Sequence, residues 1–196
     1  MVNRYDPSIH HRRSIRLKEY DYSEDGAYYI TLCTQNRECL FGDIENGIIR
    51  LSEYGEIAGK EWDDLEKRFH PTTFNVFQIM PNHIHAIITI INVGATLAVA
   101  QNAVDLDSAV AQNMVDADTR SGASPAPTVG DIVGAYKSLV YKRCLDLCKS
   151  KNATLGKLWQ RNYYEHIIRN DIDYINIAEY ITNNPKTWEN DKLWIK

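Results

Sequence analysis

The stretch Pro81-Asn82-His83-Ile84-His85-Ala86-Ile87-Ile88 decides how the chain reads. Two histidines, one residue apart, open an apolar run that continues to Ile91. In an extended strand, residues i and i+2 point to one face, about 6.6 Å apart, so both imidazoles can reach a single metal ion. One helical turn could not do this with the same spacing. Apolar residues on both faces predict that the strand lies centrally in a sheet. Upstream, Phe74 to Met80 reads as another strand, and Pro81-Asn82 as the tight turn between the two. An antiparallel hairpin follows, with the histidines just past its turn.

Working outward, Ala27 to Thr34 (AYYITLCT) is β-branched and aromatic, which predicts a strand. Asn36-Arg37-Glu38 turns the chain, and Gly47 to Leu51 forms a second, short strand. Ser52 caps a helix whose apolar stripe is Tyr54, Ile57, Ala58, Trp62, Leu65 and Phe69. Thr128-Val129-Gly130-Asp131 is a capping-box start for a helix reaching about Lys149. Residues 158–169 mix a loop with a fifth strand, in which alternation buries one of Tyr163 and Tyr164. His166 there reads as an interior group with no chemistry of its own.

Residues 92–127 differ in kind. AVAQNAVDLDS at 98–108 is followed by AVAQNMVDADT at 109–119, a near-perfect tandem repeat, and then by the linker composition of Ser121 to Pro127. Two copies are too few for a solenoid. The predicted organisation is a basic N-terminal arm, 1–25, and a single domain, 26–196, interrupted by a flexible insertion at 92–127.

The chain has 196 residues, 44% hydrophobic and 24% charged, as expected of one soluble domain with a full core. It has no apolar run of transmembrane length and no secretory signal at its start. Cys33, Cys39, Cys144 and Cys148 read as free cytosolic thiols, because a Cys₄ zinc site wants tighter pairs. A net charge of −4 excludes a generally basic surface, but the charge is uneven. Residues 1–20 hold five bases against two acids, and 136–151 five against one. Such local patches decide whether a polyanion docks.

Asn170 or Asp171 caps the last helix, which Pro185 stops. Tyr174, Ile177, Ala178 and Ile181 form its buried stripe. Asp173, Asn176, Tyr180 and Asn184 form a polar one, so Tyr180 is an aromatic on the polar side with Asn184 one turn away. Taken alone, these residues also fit a rim tyrosine, a helix-stop asparagine and two satisfied strand histidines. Taken together, they suggest His83, His85 and Asn184 as neutral ligands and Tyr180 as a nucleophile. A phenol near its reference pKa of about 10 attacks poorly at neutral pH. A metal on the scissile phosphate supplies the missing charge neutralisation and orientation.

In its ordered motifs the chain resembles the HUH single-tyrosine transposases of the insertion-sequence-200-like group, above all the REP-associated tyrosine transposases (RAYT). Those motifs are Tyr28-Tyr29-Ile30-Thr31, Met80 to His85, Ala135-Tyr136-Lys137-Ser138, Trp159-Gln160-Arg161, Glu165 to Arg169 and Glu179 to Pro185. The resemblance implies an α+β fold, a ferredoxin-like (RRM-like) antiparallel sheet flanked by helices with the histidine strand in its middle. It implies Mg²⁺ or Mn²⁺ held by His83, His85 and Asn184, with Tyr180 as the nucleophile. The implied reaction is cleavage of single-stranded DNA beside a palindromic, REP-like hairpin. It leaves a 5′-phosphotyrosine and a free 3′-hydroxyl, and strand transfer follows. Arg12, Arg13, Arg16, Lys137, Lys142 and Arg161 are the candidate phosphate contacts. The expected partner is single-stranded or hairpin DNA and the expected place the cytoplasm, at the nucleoid, with no membrane role; monomer and homodimer stay open. Two other readings share the same residues: a hairpin-binding module that does not cleave, and a metal hydrolase that uses water.

Overall fold

The computed structural model describes residues 25–91 and 127–195. The arm carrying Arg12, Arg13 and Arg16 and the repeat at 98–119 lie outside the described residues. The elements run β1 (Gly26–Cys33), β2 (Gly42–Glu45), β3 (Ile48–Leu51), α1 (Glu53–Asp63), α2 (Leu65–Arg68), β4 (Thr73–Met80), β5 (His83–Ile90), α3 (Val129–Ser150), β6 (Tyr164–Ile168) and α4 (Asp171–Asn183). Short 3₁₀ segments follow β1 and α4.

Four strands form one antiparallel sheet in the order β4-β5-β1-β6. With a helix between β1 and β4 and another between β5 and β6, this is the expected ferredoxin-like arrangement. The alternation of β5 sorts its side chains into two layers. Ile84, Ala86, Ile88 and Ile90 pack with Tyr28, Ile30 and Leu32 of β1 against α1 and α3, whose contributions include Ala58, Trp62, Ile132, Tyr136 and Val140. On the other face, Ile87 and Ile168 meet Ile181 of α4. His83 and His85 share that second face, so α4 roofs the imidazoles.

The local signals hold these elements in place. Ser52 Oγ accepts from the Gly55 N–H, and Thr128 and Asp131 complete a reciprocal capping box on α3. Asn170 caps α4, its side chain accepting from the Asp173 N–H. The turn between β4 and β5 is anchored from below: Thr34 N–H donates to the Asn82 carbonyl at 2.9 Å, and Phe41 N–H to that of Pro81 at 3.0 Å.

Three expectations need correction. Gly42–Glu45 pairs with β3 as a separate hairpin, a strand too short to show a period. The helix after Ser52 breaks at Asp64, and Leu65 belongs to the short turn α2, with Phe69 just beyond it. His166 is exposed, because β6 is an edge strand and this part of its outer face is uncovered.

After β1, Asn36 and Arg37 both take left-handed backbone angles, φ 56° and 59°, while Glu38 N–H donates to the Gln35 carbonyl at 3.2 Å. Glycine occupies such a position with less strain than arginine. Arg37→Gly is expected to raise the unfolding free energy by about 0.5–1 kcal/mol, read as a higher urea midpoint at unchanged slope.

Candidate metal and tyrosine site

The register of the sheet builds the floor of the site. Thr31 lies opposite His85, and Cys33 opposite His83. Both imidazoles are buried, and their Nε2 atoms face each other at 3.0 Å. The proton on His83 can be assigned from its neighbours. Asn82 Nδ2 donates to the Leu193 carbonyl at 2.8 Å, a group that can only accept, so the amide oxygen is the atom turned to His83 Nδ1, also at 2.8 Å. His83 Nδ1 therefore carries the proton, and Nε2 presents a lone pair. His85 Nδ1 lies 2.9 Å from both Tyr29 Oη and Thr31 Oγ1. Either hydroxyl can accept its proton, which frees the second Nε2 without moving a ring. This is the outer hydrogen bonding that orients imidazole ligands.

Burial pushes both imidazoles well below the usual histidine range, and for His83 the neighbouring ring adds to the effect. The sign of the consequence follows. Below about pH 6.5 the unfolded chain takes up protons that the folded pair refuses, so stability falls as the pH drops and the loss vanishes above that value. Each imidazole is expected to contribute about 1.4 kcal/mol per pH unit. Urea melts of metal-free protein at pH 5 and 7 measure it, and His85→Gln should flatten the slope.

From the roof, α4 brings Tyr180 Oη to 3.5 Å from His85 Nε2. Pro185 ends the helix, and the chain continues as a 3₁₀ segment, Asn184–Asn190, that buries the Asn184 side chain. Four side-chain atoms among the described residues are buried without a hydrogen-bond partner. Trp62 Nε1 and the two Glu165 oxygens lie elsewhere in the fold; the fourth, Asn184 Oδ1, belongs to this site. A neutral acceptor left open beside two imidazole Nε2 atoms, each able to present a lone pair once the proton shared between them moves to His85 Nδ1, has the donor chemistry of a divalent-metal ligand set.

Sequence reasoning missed Asp191. Its Oδ2 accepts from Tyr180 Oη at 2.9 Å and from Asn184 Nδ2 at 2.7 Å, while Oδ1 accepts the Leu193 N–H at 2.6 Å. His83, His85 and Asp191 can hold a metal ion together, with candidate ligand atoms all within 4.8 Å of one another. Burial pushes the Asp191 carboxyl up, but the hydrogen bonds from Asn184 and Leu193 outweigh it and hold the group below the usual carboxylate range. For Tyr180, burial and then the Asp191 hydrogen bond and charge push the phenol well above its ordinary value. Asp191 lies past the end of the motif-bearing helix, in an irregular turn, where no periodicity marks it.

The remaining sequence candidates separate. Lys137 donates to the carbonyls of Gln160 at 2.6 Å and Arg161 at 3.3 Å, so its amine is a strut and not a free phosphate contact. Lys142 is exposed on α3, the helix on the opposite face of the sheet from the imidazoles. Arg161 is exposed in the loop before β6. Of Tyr163 and Tyr164, the second is the exposed one, at 55%. The cysteines are free, and Cys33 alone lines the cleft that opens beside His85 and Tyr180, so no Cys₄ site forms among the described residues. No helix of the described residues is long and apolar enough to cross a membrane.

A structure of a REP-associated tyrosine transposase bound to a REP hairpin superposes with a TM-score of 0.50 at 19% identity, covering 90% of this chain and 74% of that one. The fold is that of the REP-associated tyrosine transposases. A further crystal structure, of a candidate transposase from Deinococcus radiodurans R1, gives a TM-score of 0.45 at 14% identity over 87% of this chain and 97% of its own. No family model matches the chain. An uncharacterized protein of Haemophilus influenzae is 39% identical over 198 residues, spanning 100% of this chain and 99% of its own length. The chain belongs to one family with that Haemophilus protein.

Proposed function

We propose that the chain is a metal-dependent transposase that cleaves single-stranded DNA beside a palindromic, REP-like hairpin through a 5′-phosphotyrosine on Tyr180, and rejoins the strands. The observation that carries this reading is the convergence of a phenol on a pair of facing imidazoles, the nearer of which, His85, lies 95 residues before Tyr180 in sequence. The open acceptor Asn184 Oδ1 supports it, as does the fold shared with a transposase bound to a REP hairpin.

His83 Nε2, His85 Nε2 and Asn184 Oδ1 would hold Mg²⁺ or Mn²⁺, with Asp191 beside them as a charged fourth group. The ion would neutralise and orient the scissile phosphate for in-line attack. Asp191 also supplies a reason for a cation here, since a phosphate entering without one would meet a carboxylate in a partly dry cleft. Asp191 Oδ2 orients the phenol and is the nearest acceptor for its proton. Tyr180 Oη then forms the bond to phosphorus, the bond to the 3′-oxygen breaks, and that oxygen leaves as a hydroxyl after taking up a proton. The bond energy stays in the phosphotyrosine, ready for attack by another 3′-hydroxyl.

Exposed Arg161 remains a candidate phosphate contact, as do Arg12, Arg13 and Arg16 of the arm; Lys142 sits poorly for it. The chain is read as a basic arm and one domain interrupted at 92–127, working at the nucleoid. The test is incubation of end-labelled hairpin oligonucleotides with Mg²⁺ or Mn²⁺, resolved under denaturing conditions. A labelled band shifted by the mass of the protein is the expected result. Tight binding with no adduct under either ion would make the chain a hairpin-binding module instead.

A further inference from the structure

Glu165 is the one carboxylate among the described residues whose two oxygens are both buried without a hydrogen-bond partner. The alternation of β6 sends its side chain to the helix side of the sheet. Tyr163 and Ile167, its neighbours on that side, pack against the core under α1 and α3, and its register partner Ile30 is fully buried there. A carboxylate can only accept hydrogen bonds. Out of water and with nothing to accept from, it is costly to bury, and such groups are found paired.

The cations of the overlying helix are spent elsewhere. Lys137 gives its amine to the carbonyls of Gln160 and Arg161. Arg143 pairs with Glu61, and Lys151 with Glu53.

The chain's own basic arm joins the sheet within reach. It enters at Gly26, the first residue of β1, and Ala27 lies opposite Ile168 at the end of β6. Glu165 lies opposite Ile30, about 10 Å further along the same pair of strands. Arg16 stands nine residues before Asp25, a span of at most about 30 Å, so Arg12, Arg13 and Arg16 can all turn back to that point. Two open oxygens on one carboxylate match the planar fork of a guanidinium, which donates to both at once, better than the single ammonium of Lys18. Among the described residues β6 is also an edge strand, so an arm returning along it covers an open row of backbone groups.

We infer that Glu165 is the docking point of the N-terminal arm, with one guanidinium of the segment 12–16 closing both carboxylate oxygens. One of the three arginines is then withdrawn from the candidate phosphate contacts, and the other two are tethered within about 15 Å of β6. The inference stands on charge and connectivity and does not draw on the DNA-cleaving reading.

The test is a double-mutant cycle in the full, metal-free chain, read as urea midpoints at pH 7 and unchanged slope. Glu165→Gln is expected to lower the folding equilibrium constant of wild type at least about tenfold, because it leaves a guanidinium without its partner. The triple variant Arg12→Ala, Arg13→Ala, Arg16→Ala should lose a similar amount. In that triple background the sign reverses: Glu165→Gln raises the midpoint, since it now removes a buried charge that nothing pairs. Restoring the arginines one at a time should recover the wild-type midpoint for one of them.

Hydrogen exchange reads the docking without any substitution at the site. Amides of residues 12–18 are expected to exchange at least about tenfold more slowly in the native chain than in a synthetic peptide of residues 1–25, and at the peptide's rate in the triple variant. This measurement decides the matter even if Glu165→Gln fails to fold. Peptide-like exchange in wild type, the same drop from Glu165→Gln in both backgrounds, or recovery by none of the three arginines would overturn the proposal.

Discussion

Tyr180→Phe is expected to abolish the covalent adduct and to lower cleavage at least about 10³-fold. The ring stays in place, since its contact with His85 at 5.4 Å between centres does not need the hydroxyl. Asp191 Oδ2 keeps its bond from Asn184, so no carboxylate is left unpaired in the fold. The stability cost should therefore stay near 1 kcal/mol, and binding to a hairpin oligonucleotide should change by no more than about twofold. Denaturing electrophoresis of labelled DNA separates the outcomes. Cleavage that persists in the variant would make water the nucleophile and the protein a hydrolase. An adduct that persists would move the role to Tyr29, Tyr163 or Tyr164, of which Tyr29 lies nearest the imidazoles.

The second large effect concerns the ion. His85→Ala should weaken Mn²⁺ binding by at least about 100-fold and remove cleavage with it, because one of two facing lone pairs is lost. Asn184→Ala removes the open acceptor and should weaken Mn²⁺ by about 10–100-fold. Asp191→Asn is the informative partner to these. It preserves an oxygen for Tyr180 and Asn184 but removes the charge and turns an amide NH2 toward the Leu193 N–H, so it should lower ion affinity about tenfold at a local stability cost of about 1–3 kcal/mol. Calorimetric titration of Mn²⁺ into the three variants reads all of this before any DNA is added. An unchanged affinity in both His85→Ala and Asn184→Ala would mean that any bound ion sits elsewhere.

Much of this arrangement was legible because it is periodic. The alternation of His83 and His85 with Ile84 and Ala86 fixed two faces of one strand, and the 3.6-residue spacing of α4 put Tyr180 and Asn184 on one side. The capping residues Ser52, Thr128 and Asn170 marked three helix starts. What the chain hid is what periodicity does not carry. Asp191 holds the phenol from an irregular turn, and its role depends on a hydrogen bond to a residue 11 positions earlier, on the far side of the break between α4 and the 3₁₀ segment. Lys137 looked like a surface base on a helix, yet tertiary packing turned its amine inward onto two carbonyls. His166 looked interior because its neighbours are apolar, but edge strands leave one face open. Asn184 read equally well as a helix stop, and its unpaired buried oxygen appears only when every neighbour has been placed.

The central claim is that His83, His85 and Asn184 hold one divalent cation beside the Tyr180 hydroxyl. Diffraction at the manganese edge, from crystals of the full chain grown with Mn²⁺ and a hairpin oligonucleotide, measures it directly. The account predicts an anomalous peak within bonding distance of both Nε2 atoms and Asn184 Oδ1, with the Tyr180 hydroxyl facing the bound phosphate. A fully occupied peak elsewhere, or a phenol turned away from the phosphate with the ion in place, would contradict it.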